Sequence, residues 1–138
     1  KNLAIQSLQK EPRVYIYGNN YNTKDGTCVR DYIHVSDLAN IHIKSLDYIN
    51  KKSKSIVLNC GYGKGYSVLD IVNIFKTINK KLIINFTKKR PGDIAQVYAD
   101  IKKLKKILKW KAKNNNIKKI LKSAFKWEKS LVKKDFKN

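Results

Sequence analysis

The stretch SIVLNCGYGKGYSVLDI, residues 55–71, constrains the fold most, because it joins an apolar run to a helical pattern through three closely spaced glycines. The apolar run 55–60 predicts a buried strand. Ser67 and Asp70 have the S-x-x-D spacing of a capping box and predict a helix that continues to about residue 80. The inward-facing residues of this helix are expected to be Val68, Ile71, Val72, Phe75 and Ile78.

The glycine turn raises the question of nucleotide binding, because a dinucleotide fingerprint combines G-x-G-x-x-G with an acidic residue about 20 positions later. Gly61, Gly63 and Gly65 are one residue short of that spacing, and residues 81–89 contain no Asp or Glu. No G-K-[ST] follows, which excludes a P-loop. We therefore interpret the turn as a strand-to-helix connection in which glycine permits positive φ and close packing.

The remaining segments alternate between strand and helix patterns, which predicts an α/β fold without internal repeats or a domain linker. Strands are predicted at 13–18, 27–35 and 81–86. Helices are predicted at 3–10, 36–50 and 101–110, and a last one is predicted to start at the Asn run 114–116. On the helix 36–50, the inward face is expected to consist of Leu38, Ile41, Ser45, Leu46 and Ile49.

The net charge of +21 raises the alternative of a basic, polyanion-binding module. Only Arg13, Arg30 and Arg90 among the 31 basic residues are arginines, and the lysines are spread along the chain. Most lysines occupy the polar faces of predicted helices, where any solvated residue would serve. We therefore expect no nucleic-acid partner. The Lys-rich C-terminal helices are expected to cover a core rather than to lie on a membrane.

The other candidate residues point to structural roles. Cys28 and Cys60 have no C-x-x-C spacing, and two buried thiols in a reducing cytosol are expected. His34 and His42 have no second ligand nearby and are treated as structural. No apolar run approaches the roughly 20 residues of a membrane span. The sequence contains no Met, which suggests that it begins inside a longer protein.

Four motifs carry a resemblance to a known family. IYGNNYNTKDGTCVRDYIHVSDLANIH, residues 16–42, closely resembles a segment of UDP-glucose 4-epimerases, which are nucleotide-sugar enzymes of the extended short-chain dehydrogenase/reductase superfamily. LNCGYGKGYSVLDIV, KKRPGDIAQVYAD and ILKWKAKNN are similar to further motifs of these enzymes. The four occur in the family's order and cover nearly the whole chain from about residue 14.

The resemblance implies a fold class: the C-terminal, substrate-binding portion of an extended NAD-binding Rossmann-type epimerase, with short strands and covering helices. It implies NAD as cofactor, held by an N-terminal half that is expected to be absent from residues 1–138. The family's nucleotide loop is not found, and no Tyr-x-x-x-Lys pair lies at a usable position, since Tyr48 and Lys52 have the spacing but end a predicted helix. No catalytic residue is therefore assigned, and the chain is expected to be inactive alone. A cytoplasmic homodimer is implied for the intact enzyme.

The same resemblance assigns residues to the diphosphate and the ribose of a UDP-sugar substrate. Arg30 and Arg90 fall where the family places its diphosphate ligands, and a guanidinium suits phosphate because it bonds through two N–H groups and stays charged. The alternative for Arg30 is a salt bridge with a neighbouring aspartate. Asp93 matches the family's acceptor for the ribose hydroxyls, and Pro91 and Gly92 are expected to make the turn that places it beside Arg90.

Two further sets follow from the resemblance. Tyr15, Ile16 and Tyr17 fall on the family's edge strand, whose backbone pairs with uracil, and Tyr17 is placed to pack on the base. Val97 falls beside the sugar, and its modest size suggests room for UDP-N-acetyl sugars.

The implied activity is interconversion of UDP-glucose and UDP-galactose through a 4-keto intermediate. A different nucleotide-sugar enzyme, such as a dehydratase or decarboxylase, is an alternative, as is a degenerate remnant. Apolar faces that would meet the missing sheet are expected to be exposed.

Overall fold

The structure, a computed structural model, describes residues 1–135. Its helices are Asn2–Gln6 (α1), Val35–Lys52 (α2), Val68–Lys76 (α3), Lys102–Leu108 (α4) and Ile117–Asp135 (α5). Its strands are Arg13–Tyr17 (β1), Val29–Asp31 (β2), Gly65–Ser67 (β3), Ile83–Thr87 (β4) and Gln96–Val97 (β5). The predicted α/β class, with short strands and covering helices, is confirmed. None of the helices within residues 1–135 combines the length and apolarity needed to cross a bilayer.

The strands form two small sheets. β1 and β4 pair in parallel, from Arg13 opposite Ile83 to Tyr17 opposite Thr87. β2 is the centre of a second sheet, antiparallel to β3 and parallel to β5. The carboxyl ends of β1 and β4 therefore lie side by side, and the residues that follow them meet at one end of the first sheet.

Two apolar clusters hold the elements together. The first lies between the β1–β4 sheet and the helices α1, α3 and α5, and its buried members are Ala4, Val14, Ile16, Ile71, Val72, Phe75, Leu82 and Leu121. The second packs α2 against α4 and the glycine turn, and its buried members are Ile41, Tyr62, Ile101, Leu104, Leu108 and Trp110.

Two predicted helix starts are confirmed. Ser67 caps α3, since its hydroxyl accepts from the Asp70 N–H while the Asp70 carboxylate accepts from the Ser67 N–H. Asn116 caps α5 by accepting from the Lys119 N–H at 3.0 Å. Asp100 accepts from Lys102 N at 2.9 Å, although Ile101 is the residue at the N-cap position of α4.

The prediction of a buried strand at 55–60 is wrong. These residues form no strand, and the Val57 side chain is 81% exposed. A strand requires a neighbouring backbone to complete its hydrogen bonds, and no strand among residues 1–135 lies beside this segment. The predicted strand 27–35 is also shorter than expected, because only Val29–Asp31 pairs with neighbours.

Part of the predicted inward face of α2 is solvent-exposed. Ile41 is buried, but Leu46 and Ile49 are 61% and 43% exposed. This agrees with the expectation that apolar surface of the chain is left uncovered. Of the two thiols, Cys28 is buried as expected, whereas Cys60 is exposed.

Asp37, at the start of α2, ties three segments together. Its carboxylate is buried and accepts from the Tyr62 hydroxyl at 2.8 Å, from the Lys113 and Asn114 N–H groups, and from the Asn114 side chain. Burial acts to raise the pKa of Asp37, but these hydrogen bonds outweigh it and hold the pKa below its usual value. Burial, with the Asp37 carboxylate nearby, raises the pKa of Tyr62 to about 12, so its hydroxyl remains a donor at neutral pH.

We expect Asp37→Asn to lower the free energy of unfolding by about 2–3 kcal/mol, because buried donors lose a charged acceptor. Urea denaturation followed by circular dichroism measures this change. The matched control is Asp47→Asn, at an exposed position on the same helix, with an expected change within about 0.5 kcal/mol.

The same variant tests the pKa of Asp37. A folded-state pKa below the unfolded value of 3.8 stabilises the fold above that value, and this stabilisation is lost as the pH falls through the folded pKa. The urea midpoint of the wild-type chain should therefore fall more steeply than that of Asp37→Asn on acidification below about pH 4. Parallel curves for the two proteins would contradict this assignment.

Candidate functional site

Strand β1 presents alternating faces, as its sequence predicts. Ile16 points into the core and is 1% exposed, whereas Tyr15 and Tyr17 lie on the opposite, solvent-facing side. One edge of β1 is bonded to β4, and no strand in the described part of the chain pairs with its other edge. β1 therefore offers both an aromatic face and a backbone edge to a ligand.

The loop after β4 brings Arg90 and Asp93 together. Arg90 Nε donates to Asp93 Oδ2 at 2.9 Å, and the Asp93 N–H donates to the Arg90 carbonyl at 3.3 Å. Pro91 and Gly92 form the turn, and Gly92 adopts a φ of +81° that favours glycine. The guanidinium carbon of Arg90 also lies 4.6 Å from the centre of the Tyr17 ring, which is a cation–π distance.

This pairing leaves polar groups available for a ligand. The Arg90 contact uses Nε, and its two Nη groups have no hydrogen-bond partner among residues 1–132, whose side chains the structure describes. Asp93 Oδ1 is likewise without a partner in that range. The Arg90 side chain is 60% exposed, so its guanidinium is accessible.

Arg30 lies on β2, where its guanidinium Nη1 donates to the Val29 carbonyl at 2.8 Å. In the parallel pairing of β2 with β5, Arg30 stands opposite Val97, which is 48% exposed. The alternative of a salt bridge to Asp31 or Asp25 is wrong, because neither pair is present among the ion pairs of the described residues.

The carboxylates of Asp25 and Asp31 both form hydrogen bonds to groups other than Arg30. Asp25 accepts from the Thr27 N–H and from the hydroxyls of Thr27 and Ser67. Burial would raise the pKa of Asp25, but these hydrogen bonds hold it below its usual value. Because these two carboxylates are bonded elsewhere, neither of them neutralises Arg30.

The segment that follows Asp93 brings the surroundings of Arg90 next to those of Arg30. The Val29 N–H donates to the Ala95 carbonyl at 2.8 Å, and Ala95 lies two residues after Asp93. Tyr21 lies between the two regions: burial, the Cys28 thiol and the Asp93 carboxylate raise the pKa of Tyr21, whereas Arg90 acts to lower it. Arg90, Asp93 and Tyr17 thus form one group, and Arg30 with Val97 forms a second on the adjoining strand pair.

The glycine turn is filled by the carboxylate of Asp31. Asp31 accepts from the Tyr62 N–H at 3.0–3.1 Å and from the Gly63 N–H at 2.9 Å. A Cβ on Gly61 would be in hard contact with Asp31 Oδ2, so glycine is required there. A dinucleotide pyrophosphate at this turn would have to displace a carboxylate of the chain itself. The turn therefore does not fit NAD, in agreement with its spacing.

Sequence reasoning missed two residues near these groups. They are Lys89 and Asp31. Lys89 Nζ donates to the Asn20 carbonyl at 2.9 Å and lies 4.3 Å from the centre of the Tyr21 ring. Lys89 also lines a cavity of about 520 Å³ at the ends of β1 and β4. Among so many lysines, no signal marks this one. The glycine turn predicts an acceptor for its backbone N–H groups, but its spacing does not identify Asp31 as that acceptor.

The chain is similar in sequence to known nucleotide-sugar enzymes over most of its length. The sequence model of the family described as GDP-mannose 4,6 dehydratase matches residues 2–123. UDP-glucose 4-epimerase of Azospirillum brasilense is 39% identical over 131 residues, which is 94% of this chain and 38% of that protein. UDP-glucose 4-epimerase 1 of Oryza sativa subsp. japonica is 50% identical over 111 residues, 78% of this chain and 31% of that protein.

The fold is similar to solved structures of UDP-glucose 4-epimerases. A UDP-glucose-4-epimerase from Stenotrophomonas maltophila, with bound NAD and formylated UDP-arabinopyranose, is similar with a TM-score of 0.87 and 33% identity. The match covers 95% of this chain and 39% of that one. UDP-glucose 4-epimerase from Bifidobacterium longum, in complex with NAD⁺ and UDP, has a TM-score of 0.83 and 39% identity over 93% of this chain and 38% of that one. The chain thus spans less than two fifths of the length of these relatives. This agrees with the expectation that it resembles only the C-terminal portion of the family's enzymes.

We expect Gly61→Ala to lower the free energy of unfolding by about 2–3 kcal/mol, because the added methyl group pushes the turn away from Asp31. Thermal or urea denaturation measures the change. The control is Asn59→Ala, at an exposed position just before the turn, for which a change below about 0.5 kcal/mol is expected. Equal stability of Gly61→Ala and the wild-type chain would show that the turn does not depend on this contact.

Proposed function

The chain belongs to the GDP-mannose 4,6 dehydratase family of nucleotide-sugar enzymes, and on that premise we propose that it is the UDP-binding part of a UDP-glucose 4-epimerase. The intact enzyme would interconvert UDP-glucose and UDP-galactose through a 4-keto intermediate. The observation that carries the proposal is the Arg90–Asp93 pair, whose guanidinium lies over Tyr17 while its Nη groups have no partner among residues 1–132.

The diphosphate is proposed to bind between Arg30 and Arg90. Each guanidinium can donate two parallel hydrogen bonds to phosphate oxygens. In support of this role, the aspartates beside Arg30 are bonded to other groups, and the Nε contact of Arg90 with Asp93 fixes the orientation of its fork. A lysine would supply charge without this geometry.

The nucleoside is proposed to bind along β1 and the Arg90–Asp93 turn. Asp93 Oδ1 would accept from the ribose hydroxyls while Oδ2 keeps its bond to Arg90. The exposed faces of Tyr15 and Tyr17 are suited to packing against a uracil ring, and the free edge of β1 near Ile16 offers backbone donors and acceptors to its amide-like edge.

The sugar is proposed to be held more weakly than UDP. Val97 is half-exposed opposite Arg30 and brings an apolar, medium-sized side chain to the position assigned to the sugar. Weak contacts there would allow a 4-keto sugar to rotate while UDP stays bound, and would leave room for N-acetylated sugars.

The hydride acceptor and the base are proposed to come from outside these residues. NAD does not fit the glycine turn, because the Asp31 carboxylate occupies it. No step of the reaction is assigned to residues of this chain. We accordingly propose that the chain binds UDP-sugar but does not turn it over alone. For the intact enzyme we propose a cytoplasmic homodimer without a nucleic-acid partner.

Removing either site arginine tests the proposal. We expect Arg30→Ala and Arg90→Ala each to weaken UDP binding to the 138-residue chain at least tenfold in isothermal titration calorimetry. The expected loss follows from charge-assisted hydrogen bonds worth about 1.5–3 kcal/mol.

The chain supplies its own control in its third arginine. Arg13, at the start of β1, is exposed and pairs with Glu11 at 2.9 Å, so Arg13→Ala removes the same charge at a residue not assigned to the diphosphate. Its effect on UDP affinity should be less than twofold. The proposal is wrong if all three variants bind UDP alike, or if the wild-type chain does not bind UDP.

Salt dependence separates this function from the alternative of a basic polyanion-binding module. Binding of duplex DNA to lysines releases counterions and should weaken by about 10³-fold or more between 50 and 200 mM salt if many phosphates are contacted. UDP held by two arginines should lose about tenfold or less over the same range. DNA affinity that exceeds UDP affinity at 200 mM salt would favour the alternative.

A further inference from the structure

Asp31 is not among the residues proposed to bind UDP-sugar, but its contacts join three segments next to them. It is the last residue of β2 and directly follows Arg30, yet its carboxylate accepts only backbone N–H groups, from Tyr62, Gly63 and Ala99. Tyr62 and Gly63 belong to the glycine turn, and Ala99 lies two residues beyond β5. One side chain therefore connects the end of β2 to two other segments.

The pairing of β2 with β5 is short enough to need such a connection. Its register contains only Val29 opposite Gln96 and Arg30 opposite Val97. A parallel pairing of this length is weak by itself, since each backbone hydrogen bond contributes only modestly in water. The pairing is secured at one end by the Val29 N–H, which donates to Ala95 at 2.8 Å. At the other end, the Ala99 N–H donates to Asp31 at 3.4 Å.

The glycine turn holds the Asp31 carboxylate in place. Gly63 has a φ of +69°, which lets successive N–H groups converge on one anion, and Gly61 leaves room for the carboxylate oxygens. The Tyr62 hydroxyl is in turn bonded to the buried Asp37. The Asp31 carboxylate is thus linked through Tyr62 to a buried group, while its Gly63 donor lies in an exposed part of the turn.

We propose that Asp31 is a positioning residue that sets the separation between Arg30 and Val97. The turn binds this internal anion, and the bound anion fixes β5 against β2, so that the phosphate-binding arginine and the sugar-side valine stay in register. The link from this register to nucleotide affinity rests on the proposed function. Asp31 does not touch the ligand in this arrangement.

Chemical rescue tests the proposal. In Asp31→Ala the turn keeps its N–H donors but loses the anion, so the amide proton of Val29 should exchange with solvent at least tenfold faster and UDP affinity should fall at least fivefold. Added formate, a carboxylate small enough for the space vacated by the side chain, should restore both, and chloride at the same ionic strength should not. In ¹H–¹⁵N spectra, the Gly63 amide resonance should shift on removal of Asp31 and return with formate.

Two further variants keep the test decisive. Asp31→Asn preserves the side-chain volume and should show the same losses if Asp31→Ala is poorly folded. Asp47→Ala, at an exposed position on α2, controls for the loss of a carboxylate and should change neither readout.

Each outcome has a distinct meaning. Unchanged Val29 exchange in both Asp31 variants, or losses that formate does not reverse, would overturn the positioning role. If the wild-type chain fails to bind UDP while formate still restores Val29 protection in Asp31→Ala, the proposed function fails and the holding of β5 by Asp31 is supported.

Discussion

The contact between the Asp31 carboxylate and the N–H groups of the glycine turn is the interaction on which the rest of the structure depends. A turn rich in glycine exposes backbone donors that must be satisfied, and here a side chain of the same chain satisfies them. The same turn carries Tyr62, whose hydroxyl reaches Asp37 and whose ring stacks on Trp110 at 6.2 Å between centroids. The second core and the second sheet are thereby built around one anchored turn.

This arrangement also explains why the site keeps its positive charge. In a chain with 31 basic and 10 acidic residues, each carboxylate near an arginine is a potential competitor for a ligand anion. Asp31 and Asp25 are committed to backbone and hydroxyl donors, so Arg30 is not neutralised by them. Asp93 bonds Arg90 through Nε alone, which orients the guanidinium without using its Nη groups. Neither Asp25 nor Asp31 therefore competes with a ligand anion for Arg30, while lysines carry most of the positive charge of the chain.

The sequence predicted local features well where the signal was itself local. The Ser67–Asp70 capping box and the helix start at the Asn run 114–116 need only neighbouring residues, and both form as predicted. The segment 55–60 failed, because its apolar residues report a tendency to be buried in a sheet but not whether a neighbouring strand is present. The convergence of Asp31, Gly63 and Ala99 could not be read from spacing, since it depends on contacts more than 30 residues apart. The family motifs named Arg30, Arg90 and Asp93, whereas the cause of the Arg30 orientation required coordinates.

The most direct test is a crystal structure of the chain with UDP bound. Our account predicts the diphosphate within hydrogen-bond distance of both Arg30 and Arg90, with a ribose hydroxyl on Asp93 and the uracil against β1. A diphosphate bound only by surface lysines, or by one of the two arginines with the other turned away, would contradict it.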